Sequence, residues 1–252
     1  MMRIFIFLLI LLCGCGYSKK NSFRNSCSIK DVVSGQTVGS GVLLDDGFVL
    51  TAAHVVDRND DFVCTSNEKI VELEFGSGEK TNGVVVYAGN HSAPFDDYAV
   101  IKPLESLKIN GVKLVDYQAE VGEDLYTVGS PDGRPLHISS GLESNDSFYG
   151  RTASIPVFFG NSGGPVFNSH GDVIGIVTRV GGTYNDITFM SHSGLEVIRM
   201  PMMISHYCIY VPTHLLYQAH TENVDLTSCY YALAAAIIFG AFVILERKNI
   251  LG

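Results

Sequence analysis

Tryptophan is absent from the 252 residues, and positive charge is scarce. Only 17 Lys and Arg stand against 26 Asp and Glu, a formal net charge of −9. A chain that binds nucleic acid electrostatically normally carries a basic surface, so no nucleic acid is expected as a partner. Charged residues make up 17% of the chain and hydrophobic residues 46%, which excludes global disorder. No repeat of fixed period and no low-complexity tract occurs. No His-x-x-x-His or similar ligand spacing is present, so a catalytic zinc is not indicated and the metal set is expected to be empty. Glycine, by contrast, is abundant at 26 residues, which suits a turn-rich β protein better than a helical bundle. The mean hydropathy of +0.22 is high for a plain soluble domain and directs attention to the two ends.

Residues 1–15 carry one early positive charge, an apolar run from Ile4 to Leu12, and then small residues. This pattern reads as a secretory signal peptide, since the run is too short to span a bilayer. Leu12-Cys13-Gly14-Cys15 also resembles a bacterial lipobox, with Cys15 as the lipidation candidate. At the other end, 229–245 is uncharged and is followed by Glu-Arg-Lys. It is expected to form an apolar C-terminal helix that spans the membrane within the tail 221–252. Arg247 and Lys248 place the cytoplasmic side after it and the rest of the chain outside. The expected location is the cell envelope, periplasmic or extracellular, with membrane association.

Residues 16–27 are polar and read as a tether. Beyond them, strand-length runs alternate with turns. Gly39–Thr51 reads as a hairpin around Asp45-Asp46-Gly47, and Lys69–Phe75 alternates at period 2. Further runs lie at 83–87, 97–102, 123–129 and 173–178. Short strands at this spacing argue an all-β barrel or sandwich. The expected divisions are an N-terminal unit at 28–115 and a C-terminal one at 116–220, with an insertion at 181–206 before a last strand at Tyr207–Val211.

Three segments carry chemistry: Thr51-Ala-Ala-His54-Val-Val, Phe95-Asp-Asp97-Tyr-Ala-Val-Ile-Lys102 and Gly160-Asn-Ser162-Gly-Gly-Pro165. A serine hydroxyl is a weak nucleophile and needs a base to take its proton. An imidazole does that and later protonates the leaving amine. A buried carboxylate fixes the imidazole tautomer, and pre-aimed backbone N–H groups stabilise a tetrahedral oxyanion. Only one of Asp96 and Asp97 can face inward at the start of a strand. Asp97 directly precedes Tyr-Ala-Val-Ile-Lys102, as in the family these motifs resemble, and that resemblance makes it the expected partner of His54, with Asp96 its solvated neighbour. The other histidines (91, 137, 170, 192, 206, 214 and 220) read as surface or structural residues.

In the order His, Asp, Ser, these motifs resemble the trypsin-like serine peptidases of the chymotrypsin fold, most closely the HtrA/Deg-type branch. The resemblance covers about residues 37–217. It implies two six-stranded antiparallel β-barrels, a triad of His54, Asp97 and Ser162, an oxyanion hole from the N–H groups of Gly160 and Ser162, and no cofactor. It also places Pro156, Val157, Thr178, Arg179 and Val180 in the substrate-binding region, with Thr178 where the family often has a small hydroxyl residue near the catalytic Asp. No acid lies at the expected base of the specificity pocket, so cleavage after small or medium apolar residues is expected and a Lys/Arg preference is not. Arg179 leaves a weaker option, an acidic residue before the cut. The chain departs from the branch in having Phe158 and Phe159 before Gly160, where Pro is usual next to the glycine, and no PDZ domain is expected.

The resulting expectation is an exported serine endopeptidase acting on protein or peptide substrates through an acyl-enzyme. The alternative is a catalytically silent peptide-binding module on the same fold. The order His, Asp, Ser is wrong for an α/β-hydrolase, and no Gly-x-Ser-x-Gly elbow lies in a strand–turn–helix setting. Of the six cysteines, Cys27, Cys64, Cys208 and Cys229 lie outside the leader. Pairing of Cys27 with Cys64 or with Cys208 and buried free thiols are the open alternatives.

Overall fold

A computed structural model describes residues 18–57, 69–93, 95–147, 150–190 and 197–213. The leader with Cys15, the run 229–245, Cys64 and Cys229 lie outside the described residues. Among those described, no helix is long and apolar enough to cross a membrane.

The strands close into two six-stranded antiparallel barrels. The first consists of β1 (Ser26–Asp31), β2 (Thr37–Leu43), β3 (Val49–Thr51), β4 (Ile70–Phe75), β5 (Lys80–Ala88) and β6 (Ala99–Pro103). Its order is β1-β2-β3-β6-β5-β4, and β1 pairs with β4 to close it. In β4 the predicted alternation is realised: Val71, Leu73 and Phe75 are buried while Ile70, Glu72 and Glu74 are partly exposed. The β2–β3 turn takes Gly47 at φ +87°, a conformation cheap only for glycine in this setting.

The second barrel consists of β7 (Asp124–Gly129), β8 (His137–Ser147), β9 (Gly150–Ala153), β10 (Pro165–Phe167), β11 (Val173–Met190) and β12 (Val197–Pro212). It closes through pairing of β10 with β7. The expected insertion at 181–206 is not a separate element. Its described residues continue β11 and β12, which pair antiparallel from Gly175 opposite Pro212 out to Met190 opposite Val197, with register shifts between Val177 and Arg179 and between Gly181 and Gly182.

The expected tether is also different. Residues 18–25 form a helix, α1, which leads directly into β1. Its buried positions include Ser22 and Asn25, and Ser22 Oγ lies 2.9 Å from Tyr126 Oη of β7. The link between barrels bridges both of them, with Val112 opposite Leu44 and Leu114 opposite Val173.

One apolar cluster fills the first barrel and continues across the interface to Tyr126, Val128, Phe167 and Ile176, while another, around Leu125, Ile155 and Ile174, fills the second barrel. A shared interface of this kind fixes the cleft between the barrels.

Candidate active site

His54 sits on α2 (Ala53–Val56), a single helical turn directly after β3. Ala52 and Ala53 are fully buried, and Val55 and Val56 pack into the core on either side of the turn. The small residues let the turn sit against the barrel, and the valines anchor it, which leaves His54 as its one partly exposed member. Asp97 lies just before β6 and is buried. His54 Nδ1 is 2.9 Å from Asp97 Oδ2 and 3.1 Å from Oδ1, and the His54 backbone N–H also donates to Oδ1 at 3.1 Å. The histidine side chain is 29% exposed and the carboxylate 4%. A buried carboxylate that accepts from both ring and backbone sets the ring orientation and puts the proton on Nδ1, leaving Nε2 as the basic atom.

Asp96 is half-buried rather than solvated. Its carboxylate accepts the Asn90 N–H at 2.8 Å and the Tyr87 hydroxyl at 3.3 Å, closing the loop that delivers Asp97.

The Gly160–Gly164 turn belongs to the second barrel, yet residues of the first hold it. Ser40 of β2 donates its N–H to Ser162 O at 2.8 Å and its hydroxyl to Gly160 O at 2.7 Å. The Ser40 hydroxyl in turn accepts the Ser130 N–H at 2.9 Å. Thr51 Oγ1 donates to Ser40 O at 2.7 Å. Gly163 donates to Val177 O at 2.7 Å and Val177 to Gly164 O at 2.9 Å, tying the turn to β11. Gly160 and Gly163 adopt φ +92° and +77°. A Cβ on Gly163 would lie 2.1 Å from Thr51 Oγ1 and one on Gly160 2.2 Å from Ser130 O, so both positions demand glycine for conformation and for space. The N–H groups of Gly160 and Ser162 donate to no protein acceptor among the described residues.

His54, Gly160 and Ser162 line one cleft of about 580 Å³ between the barrels, together with Val157, Phe158, Phe159, Thr178, Arg179 and Val180. Within the described residues no hydrogen bond joins the side chains of Ser162 and His54. Of the predicted substrate residues, Val157, Thr178, Arg179 and Val180 line this cleft. Pro156, exposed between the buried Ile155 and Val157, is not among the residues that line it. Thr178 Oγ1 reaches Ile209 O at 3.4 Å, and among the described residues the Asp97 carboxylate accepts from His54.

The model of the trypsin-like peptidase domain matches residues 39–176, a span that contains His54, Asp97 and Ser162. The chain belongs to this family. Similar curated proteins include the periplasmic serine endoprotease DegP of Salmonella typhimurium, 30% identical over 57% of the chain and 30% of the relative. The DegP of Escherichia coli K12 is 29% identical with the same coverage. A probable periplasmic DegP-like endoprotease of Pseudomonas putida GB-1 is 33% identical over 58% of the chain and 30% of the relative. The chain thus spans about 30% of the length of these relatives. Among solved structures, the serine endoprotease from Yersinia pestis has the same fold, with a TM-score of 0.59 at 19% identity, covering 83% of the chain and 66% of that protein. These relatives agree with the HtrA/Deg-type resemblance read from the motifs.

One arrangement near this family site was not anticipated. His91 Nε2 lies 2.8 Å from Asp57 Oδ2, with side chains only 11% and 4% exposed. The His91 ring stands edge-on to that of His54, with centroids 6.4 Å apart. No local motif marks the pair, because its members lie 34 positions apart.

Cys27 and Cys208 are buried free thiols in different barrels, so the pairing of Cys27 with Cys208 is not formed.

Proposed function

We propose that the chain is a serine endopeptidase that hydrolyses peptide bonds through His54, Asp97 and Ser162. The observation that carries this reading is the buried, two-oxygen grip of Asp97 on His54 in the cleft that Ser162 also lines. His54 Nε2 takes the Ser162 proton as Oγ attacks the scissile carbonyl. The imidazolium, stabilised by Asp97, then gives that proton to the departing amine, leaving the acyl-enzyme. Water, deprotonated by the same nitrogen, releases the acid. The contact between nucleophile and base is often loose without substrate and tightens around it. The otherwise undirected N–H groups of Gly160 and Ser162 bind the oxyanion in each tetrahedral intermediate.

Val157 and Val180 give the cleft apolar walls beside Thr178, which favours cleavage after small or medium apolar residues. A peptide-library digest dominated by Lys/Arg sites would overturn that preference. The chain acts outside the cytoplasm, tethered to the envelope by the run 229–245 and by lipid on Cys15. Its relatives bear the name periplasmic endoprotease. Radiolabelled palmitate incorporation that is lost in Cys15→Ser tests the lipid anchor.

A fluorophosphonate probe tests the core of the reading. Labelling of the wild type, with loss in both Ser162→Ala and His54→Ala and parallel loss of casein hydrolysis, is expected. A folded wild type that neither labels nor hydrolyses casein is a silent binding module instead.

A further inference from the structure

Asp57 closes α2, the turn that carries His54, by donating its N–H to Ala53 O at 3.0 Å. His91 lies on the loop that ends at Asp97. That loop is braced from within: Gly89 donates to Tyr98 O at 2.9 Å, Asn90 donates its N–H to Asp96 Oδ2 at 2.8 Å, and Ser92 bonds the Asn90 side chain. The Arg179 guanidinium, from the cleft wall on β11, reaches His91 O at 3.4 Å. Among the described residues, side-chain hydrogen bonds join the segments bearing His54 and Asp97 at His54–Asp97 and again at Asp57–His91. The second joint is the less exposed of the two.

We propose that His91 and Asp57 are positioning residues for the general base: their hydrogen bond holds the His54 turn in register with the loop that presents Asp97. The proposal rests on the triad reading above. His91 Nε2–H donates to the Asp57 carboxylate, and neither group touches the reacting atoms. The separation between the Asp57–His91 joint and the His54–Asp97 joint is one helical turn on one side and one short loop on the other. Releasing the first removes a restraint between the two segments and loosens the tilt of the imidazole relative to the carboxylate. Catalysis depends on Nε2 meeting Ser162 Oγ within hydrogen-bond reach, and displacements near 1 Å cost on the order of a hundredfold in rate. Binding of substrate along the cleft does not use this joint, so its loss falls on kcat rather than KM.

Steady-state hydrolysis of a fluorogenic casein by the full chain tests the proposal with paired variants. His91→Phe keeps an aromatic ring against His54 and deletes the donor. It is expected to lower kcat by about tenfold to a hundredfold, with KM within about twofold of wild type. His91→Gln restores a donor to Asp57 and is expected to bring kcat back to within about threefold of wild type. The low-field proton resonance of His54 Nδ1–H should shift or broaden in His91→Phe and return in His91→Gln, a signature that ring packing alone would not move. Full kcat in a folded His91→Phe overturns the proposal, as does a His91→Gln no better than His91→Phe. If His91→Phe does not fold, Asp57→Ala removes the acceptor from the other side, and wild-type kcat in that folded variant overturns the proposal equally. Ser162→Ala is run alongside. Turnover persisting there fails the triad reading, whereas an inactive Ser162→Ala beside a fully active His91→Phe fails only the positioning role.

Discussion

Asp97 offers both of its oxygens to His54, one to the ring and one shared between ring and backbone. An asparagine at this position could keep its oxygen on the backbone N–H only by turning its amide nitrogen toward Nδ1. That nitrogen is a donor, so the ring proton would move to Nε2 and the base would be lost. Asp97→Asn is expected to lower kcat by about four orders of magnitude with a melting temperature close to that of wild type, as measured by casein hydrolysis and thermal denaturation. The buried thiols make a second residue-scale case. Burial pushes the Cys208 thiol up from 9.0 to about 12 and raises that of Cys27 as well. In the unfolded chain both ionise near 9. Above that pH the native state holds protons that the unfolded state has released, so the stabilisation is complete below pH 9 and declines as pH rises toward the native values. Urea denaturation should show stability falling by about 1.4 kcal/mol per pH unit per thiol above pH about 9, a slope flattened in the Cys27→Ala, Cys208→Ala double variant. At neutral pH neither thiol should react with Ellman's reagent until the protein unfolds.

At the scale of elements, the second barrel encloses a charged network rather than hydrocarbon alone. Arg151 Nε of β9 donates to Glu143 Oε1 of β8 at 2.7 Å, and Tyr210 Oη of β12 donates to Glu143 Oε2 at 2.7 Å. Arg151 also reaches Ala119 O at 2.8 Å. Three strands and the incoming link are tied at one point, and burial together with the Glu143 charge raises the Tyr210 hydroxyl well above its ordinary range. Removing the cation alone strands a buried carboxylate. Arg151→Met is expected to cost about 3–5 kcal/mol in urea denaturation, while the matched replacement Arg151→Met with Glu143→Leu recovers much of that loss. Elements of this kind were unevenly legible in the sequence. β4 was plain, because Val71, Leu73 and Phe75 alternate with polar or half-exposed neighbours, and alternation is what a barrel wall imposes. The motifs around His54, Asp97 and Ser162 were plain too, since each is contiguous. α1 was misread as a tether because its buried face is built from Ser22 and Asn25, and no apolar period marks it. The expected insertion at 181–206 gave no sign that its described residues would extend β11 and β12. The joint between Asp57 and His91 was hidden, because two residues on separate loops leave no pattern along the chain. Pro156 was placed in the cleft by counting back from Ser162, and counting does not reveal which face of an extended segment turns outward.

At the scale of the whole molecule, Ser40 is the fastening between barrels. It is fully buried, donates to both Gly160 and Ser162, and receives Ser130. A second contact, Ser28 to Ser130 at 2.6 Å, lies close by. Ser40→Ala deletes a donor and leaves the Ser130 N–H buried without its acceptor, which costs about 1–3 kcal/mol. The turn that bears Ser162 would lose its support at Gly160. The expected result is a fall in fluorophosphonate labelling rate out of proportion to the loss of stability, with the circular dichroism of both barrels preserved.

The division of labour across the two barrels also bears on how such a molecule is made. His54 and Asp97 lie in the first half of the chain and Ser162 in the second, so a ribosome releases the acid and base long before the nucleophile. The turn that bears Ser162 is held from the first barrel by Ser40 as well as from β11 of its own barrel. In the proposed mechanism a chain synthesised only as far as Asp97 holds the acid and the base but no nucleophile, so cleavage waits on the second barrel.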